Sequence, residues 1–93
     1  MPRRIFPQMA VMNIRLRLFA TLRDYLPPGA STDVPLELSD TATVADALTT
    51  LGVPLNLAHI AFVNGRHVLK PELSTRILQH GDVVSVFPAI GGG

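Results

Sequence analysis

The sequence predicts an α+β fold in which a mixed sheet of four to five strands packs on one main helix. Three observations predict it. Apolar and polar residues alternate in "NIRLRLF", "DVPLELS" and "HGDVVSVF", the period of half-buried strands. Only "TVADALTTLG" carries apolar residues at helical spacing over a length that makes a substantial helix. The chain has 93 residues, 47% hydrophobic and 16% charged, which suits one core between two layers and is too apolar for disorder.

Each element follows from local chemistry. Residues 1–11 read as a loose N-terminal extension, broken by Pro2 and Pro7, with Met9 and Met12 as further possible starts of translation. The first strand then points Ile14, Leu16 and Leu18 one way and Arg15, Arg17 and Phe19 the other. "ATLRDYL" sets Leu22, Tyr25 and Leu26 at helical spacing until Pro27, Pro28 and Gly29 stop it, so a short helix or a pair of turns is expected. A second strand carries Val34, Leu36 and Leu38 on one face. Pro35 lacks an amide donor, which places this strand at a sheet edge or delays its pairing.

The main helix comes next. Thr43 caps it, Asp46 stands three residues on as an imperfect capping box, and Gly52 with Pro54 closes it. Its apolar stripe is Val44, Ala47, Leu48 and Leu51. "IAFVNGRHV" reads as two strands joined at Asn64-Gly65, the strongest hairpin signal in the chain. A connecting segment follows, with a turn of helix expected around residues 75–78. Gly81-Asp82 then turns into a last strand from Val83 to Phe87. The order β, β, α, β, β, β, with the helix across the buried face of a sheet shared by the first hairpin and the last strand, is the β-grasp arrangement. Its limits are residues 12–87, and residues 88–93 form a glycine tail.

Several function classes drop out. The net charge of +1 lacks the basic stripe of a nucleic-acid binder. No run of about 18 apolar residues offers a membrane span, and the N-terminus has no apolar stretch of the kind a signal peptide needs. There is no cysteine, hence no disulfide, thiol nucleophile or thiolate ligand, which fits a reducing, cytoplasmic setting. His59, His67 and His80 have no companions at metal-ligand spacing, so no metal is expected. Asp82 reads as a turn residue without chemistry.

The end of the chain, "FPAIGGG", is the unusual feature. Glycine adds nothing to a core and loses the most backbone entropy on ordering. It makes sense either as a frayed end or as a thin arm that must pass a narrow channel. With "RLFATLRDYL", "TVADALTTLG", "AFVNG" and "HGDVVSVFPAIGGG" together, residues 12–93 resemble the ubiquitin-like sulfur carriers (MoaD/ThiS), most of all the small subunit of molybdopterin synthase. Such carriers commonly end in Pro-Pro-x-x-Gly-Gly. Pro88 matches the first proline, Ala89 replaces the second, Gly91 takes the place of another small residue, and Gly92-Gly93 matches the diglycine.

The resemblance implies a mechanism. An E1-like adenylyltransferase (MoeB or ThiF type) spends ATP to adenylate the Gly93 carboxylate. A sulfur donor then displaces AMP and leaves a thiocarboxylate, and the carrier itself binds no cofactor and supplies no catalytic side chain. Pro88, Ala89, Ile90, Gly91 and Gly92 would thread into the partner's active site, six extended residues from Pro88 spanning at most about 20 Å. Phe19 and Phe87 would lie on the outward face beside the tail. The resemblance implies that they dock on the large synthase subunit (MoaE type), whereas burial under connecting segments would explain them equally simply. Arg15 and Arg17 share that face and read either as contacts to an acidic partner or as solvated charges. Three other functions use the same residues: a carrier for thiazole synthesis, a modifier joined through Gly93 to lysines, or a β-grasp binding module indifferent to its tail.

Overall fold

The computed structural model describes residues 10–89; residues 1–9 of the extension expected at 1–11, and residues 90–93 of the tail expected at 88–93, lie outside the described residues. Five strands form one mixed sheet in the order β2-β1-β5-β3-β4. Strand β1 (Val11–Leu18) buries Met12, Ile14, Leu16 and Leu18 on one face and exposes Asn13, Arg15 and Arg17 on the other. It begins at Val11, opposite Ser39, one residue before the boundary expected at 12. Strand β2 (Asp33–Ser39) pairs antiparallel with β1 and occupies a sheet edge, where a proline without a donor costs least.

Helix α1 (Val44–Thr50) is fixed at both ends by sequence. The Asp46 amide donates to Thr43 Oγ1 at 3.2 Å, and the Thr43 amide donates to the Asp46 carboxylate at 2.9 Å, so the capping box is complete rather than imperfect. At the other end the Val53 amide reaches the Leu48 carbonyl and the Gly52 amide the Thr49 carbonyl. That is a Schellman closure, with Gly52 at φ +79°, and it brings Val53 into the core beside Leu48. Val44, Ala45, Ala47 and Leu48 are buried, and with the inner residues of the sheet they make the single core.

Strands β3 (Ile60–Val63) and β4 (Arg66–Val68) form the hairpin around Asn64-Gly65, both at positive φ as a tight turn of this kind requires. Strand β5 (Val83–Phe87) lies in the middle, parallel to β1 and antiparallel to β3. Short 3-10 helices cover the connections at Ala20–Tyr25 and Lys70–Ser74. The second corrects the helical turn expected around residues 75–78. Pro71 suits a helix start, and the Glu72 carboxylate accepts from the Leu69 amide at 2.8 Å. The later residues are instead drawn alongside the cap of α1, with Ile77 bridged to Thr43 and the Leu78 amide bonded to the Ala42 carbonyl.

Candidate functional site

The site is the end of β5. Because β5 alternates, Val84 and Val86 enter the core and Val83, Ser85 and Phe87 turn to the face that no helix covers. Both neighbours hold its last residues: the Phe19 amide donates to the Val86 carbonyl at 3.2 Å, and the His59 amide to the Phe87 carbonyl at 2.9 Å. Pro88 is buried, and Ala89 is the first exposed residue after it. Pro88 is therefore held with the domain, and five residues of sequence follow it, which fully extended would span about 17 Å at ~3.4 Å each. Ile90, Gly91, Gly92 and Gly93 lie outside the described residues.

Phe19 and Phe87 meet as the pairing of β1 with β5 leads one to expect. Their rings stack with centroids 4.3 Å apart and planes 7° from parallel. Each is half-buried, so they partly cover one another. An aromatic pair of this kind contributes about 0.5–1.5 kcal/mol beyond its area. The sequence reading missed a third member. Phe62 of β3 stands edge-on to Phe87 at 6.1 Å and 88°, and His67 of β4 tilts against Phe62 at 5.6 Å. The signal was present: buried Ala61 and Val63 flank Phe62, so strict alternation sends it to the outer face with Phe87.

Next to this platform the chain is strained. Ala20 holds φ +54°, a left-handed conformation that costs a residue with a Cβ about 1 kcal/mol. The turn it makes ends β1 directly after Phe19. Strain of this sort collects at functional positions.

Charge on the outer face is arranged in pairs. Arg15 Nε donates to the Asp33 carboxylate at 3.0 Å, which holds the Asp33 carboxyl below its usual range and raises the guanidinium further above its own. Arg17 lies over the Phe19 ring at 5.4 Å, a cation–π contact that ties the charge to the aromatic platform. His80 Nδ1 accepts from the Asn13 amide at 3.0 Å, and the His59 side chain is exposed. Among the described residues no three histidine or acidic side chains gather as a metal site would need.

Asp82 is more than a turn residue. It is 9% exposed, and its carboxylate accepts from the Gln79 amide and from Asn64 Nδ2, both at 2.9 Å. The Asn64 side-chain Oδ1 in turn accepts from the Val83 amide at 2.8 Å. This clamp locks the β3–β4 turn to the start of β5, at the opposite end of the strand from the arm.

A five-stranded mixed sheet on one helix, with the C-terminal strand at its centre, defines a ubiquitin-like β-grasp protein. The ThiS family pattern matches residues 16–93, and the chain belongs to that family of ubiquitin-like sulfur carriers and modifiers, small proteins that are generally not catalysts and that work with E1-like enzymes. Small archaeal modifier protein 3 of Haloferax volcanii is 33% identical over 95 residues, covering 88% of this chain and all of the relative. The solution structure of the Haloferax volcanii HVO 2177 protein superposes with a TM-score of 0.73 at 30% identity, over 97% of this chain and 94% of that one. A putative molybdopterin converting factor subunit 1 from Pyrococcus furiosus shares the fold, with a TM-score of 0.60 at 23% identity over 85% and 99% of the two chains.

Proposed function

We propose that this chain is a sulfur carrier whose reactive group is the Gly93 carboxylate, serving molybdopterin synthesis as the small subunit of the synthase. The observation that carries the proposal is the anchored end of β5. The central strand is hydrogen-bonded to its neighbours up to Val86 on one side and Phe87 on the other, Pro88 is packed down, and the sequence beyond it ends in three glycines. A rigid base with a narrow arm suits delivery of one atom into another protein's active site.

The chemistry follows from the carboxylate. Ionised at neutral pH, it is a poor electrophile. The activating enzyme joins it to the α-phosphate of ATP, releasing pyrophosphate and giving an acyl adenylate. A sulfide equivalent from the donor attacks the carbonyl carbon, the carbon–oxygen bond to AMP breaks, and a thiocarboxylate remains. Ala89, Ile90, Gly91 and Gly92 act as the thread. Glycine suits the last positions because it has no Cβ to meet the channel wall. The exposed part of the Phe19–Phe87 stack, extended by Phe62, is the docking surface, with Arg17 over the Phe19 ring.

One observation favours a second reading, in which the activated Gly93 is joined to lysines of other proteins: the 33% identity to small archaeal modifier protein 3. The two readings share the adenylation and part at the acceptor. Purified protein, ATP, an activating enzyme and a sulfur donor should give an intact mass raised by the exchange of one oxygen for sulfur, and a chain lacking Gly93 should not change. Co-purification with a synthase large subunit then supports the synthase role. Isopeptide-linked Gly93 in cell extracts, without thiocarboxylate, supports the modifier. An unchanged mass with an activating enzyme that loads another carrier removes the sulfur reading.

A further inference from the structure

On the face of the sheet that no helix covers, the strand registers set side chains in rows. Ile60 of β3 lies opposite Phe87, so the apolar row begun by the Phe19–Phe87 stack continues into a third strand. In the next row Arg17 of β1 is flanked by Asp33 of β2 and Ser85 of β5, and Ser85 in turn by Phe62 of β3. Arg17 and Ser85 are therefore neighbours at one strand spacing, ~4.8 Å. Aromatic rings stand on two sides of them, Phe19 beneath the guanidinium and Phe62 beyond the hydroxyl.

This part of the face has more donors than acceptors. Arg15 and Arg17 share one carboxylate, and Asp33 gives it to Arg15 Nε at 3.0 Å. The next acid on the face, Glu37, is opposite Asn13, four residues along β1 from Arg17 and about 13 Å away. Among the described residues Arg17 forms no ion pair, and the half-buried Ser85 offers a hydroxyl with no hydrogen-bond partner. Arg17 lies on the Phe19 ring, so whatever covers the rings covers the guanidinium as well. An arginine taken out of water without a counter-charge is costly, and the covering surface has to supply one.

We propose that the protein surface docking here is apolar around one carboxylate, which accepts from the Arg17 guanidinium and the Ser85 hydroxyl while apolar side chains cover Phe19, Phe87 and Phe62. This deepens the docking proposed above and rests on it. The arrangement rejects as well as binds. A basic surface, or a wholly apolar one that fits the rings, leaves Arg17 buried without a counter-charge and is discriminated against. The two arginines thereby take different parts: Arg15 is matched within the domain, and Arg17 is left for the partner. Asp33, directly opposite Arg17, competes with the partner's carboxylate for it.

The experiment titrates the full chain with the synthase large subunit in a calorimeter, at about 50 and about 300 mM salt. Arg17→Gln should raise Kd on the order of 30-fold and flatten its salt dependence, and Ser85→Ala should raise it about 5-fold. Asp33→Asn removes the competing carboxylate and should lower Kd about 2-fold at the lower salt, an effect of opposite sign. Arg66→Gln takes the same charge from β4, where the residue pairs with inward-facing Val63, and should change Kd by under about 2-fold. Arg17 and Arg66 are both exposed, so neither change endangers the fold. Arg17→Gln binding as tightly as Arg66→Gln overturns the inference and leaves the docking intact. So does a free parent that dimerises and becomes monomeric in Arg17→Glu, which seats a second copy on this face. A parent that does not bind the large subunit removes the synthase role and this inference with it.

Discussion

Replacing Asp82 with alanine strips two donors, the Gln79 amide and the Asn64 side-chain amide, of an acceptor that is 9% exposed. A buried donor left without a partner costs about 1–3 kcal/mol. Both donors sit near the surface and water can reach part of the space, so the lower half of that range applies to each, or roughly 3 kcal/mol together. A domain of this size has ~5–10 kcal/mol in total. With a urea slope near 1 kcal/mol/M, the unfolding midpoint followed by far-ultraviolet circular dichroism should fall by about 2–3 M. Asn64→Ala should cost a similar amount because it breaks the same clamp, and the double variant should cost little more than either, a coupling of at least ~1 kcal/mol. The clamp and the arm lie at opposite ends of β5, so sulfur loading should persist wherever the variant is folded. A loss below ~0.5 kcal/mol, the range of ordinary surface substitutions, would refute the clamp, and so would strict additivity.

Other substitutions test other links. Ala20→Gly should raise stability slightly, by up to ~0.5 kcal/mol in the same assay, because glycine adopts φ +54° without the Cβ clash of about 1 kcal/mol and gives back about 0.5–1 kcal/mol in unfolded entropy. Thr43→Ala removes the acceptor of the Asp46 amide and should cost about 1 kcal/mol. The Asp33 carboxyl is held below its usual range chiefly by its hydrogen bond to Arg15, so the unfolded chain binds its proton more readily. The ion pair's contribution is therefore present above about pH 4 and lost as pH falls below it. Both side chains face solvent, so the difference between parent and Asp33→Asn in the pH dependence of the midpoint should be small and should vanish at about 1 M salt. Gly92→Val should leave the unfolding midpoint unchanged while cutting thiocarboxylate formation on the order of 100-fold, since a branched Cβ misplaces the carboxylate in a narrow channel; equal loading of the variant would argue against a threaded arm.

What could be read from the sequence divides by range. Alternation is a property of neighbours, so the faces of β1, β5 and β3 were legible, and with them the outward turn of Phe19 and Phe87. The caps of α1 span three to five residues and were equally plain, although Asp46 closed the box better than its short side chain suggested. The misplaced helical turn has a different origin. Residues 76–78 are drawn out by partners more than thirty residues away, Thr43, Val44 and Ala42, and no local propensity records that. Asp82 was underestimated for the same reason: its turn chemistry is local, but its partner Asn64 is 18 residues distant and becomes a neighbour only once β5 lies beside β3.

The same division explains how the proposed carrier is built. The tail's chemistry is local and plain to read, since three glycines without side chains and a terminal carboxylate are there in the sequence, and the carboxylate waits only on activation. Its usefulness depends on where it is anchored, and that is set by long-range pairing. Strand β5 is the last to appear in the sequence and the central one in the sheet, so its end cannot shift unless β1 and β3 shift with it. The aromatic stack is made by residues 68 positions apart that the parallel pairing of β1 with β5 brings to 4.3 Å, immediately before Pro88. A partner that grips this stack thereby fixes the start of the arm to within the tolerance of a packed core, leaving five residues to span the rest. An arm anchored on an edge strand would carry the same reactive group with a looser origin, and would deliver it less often.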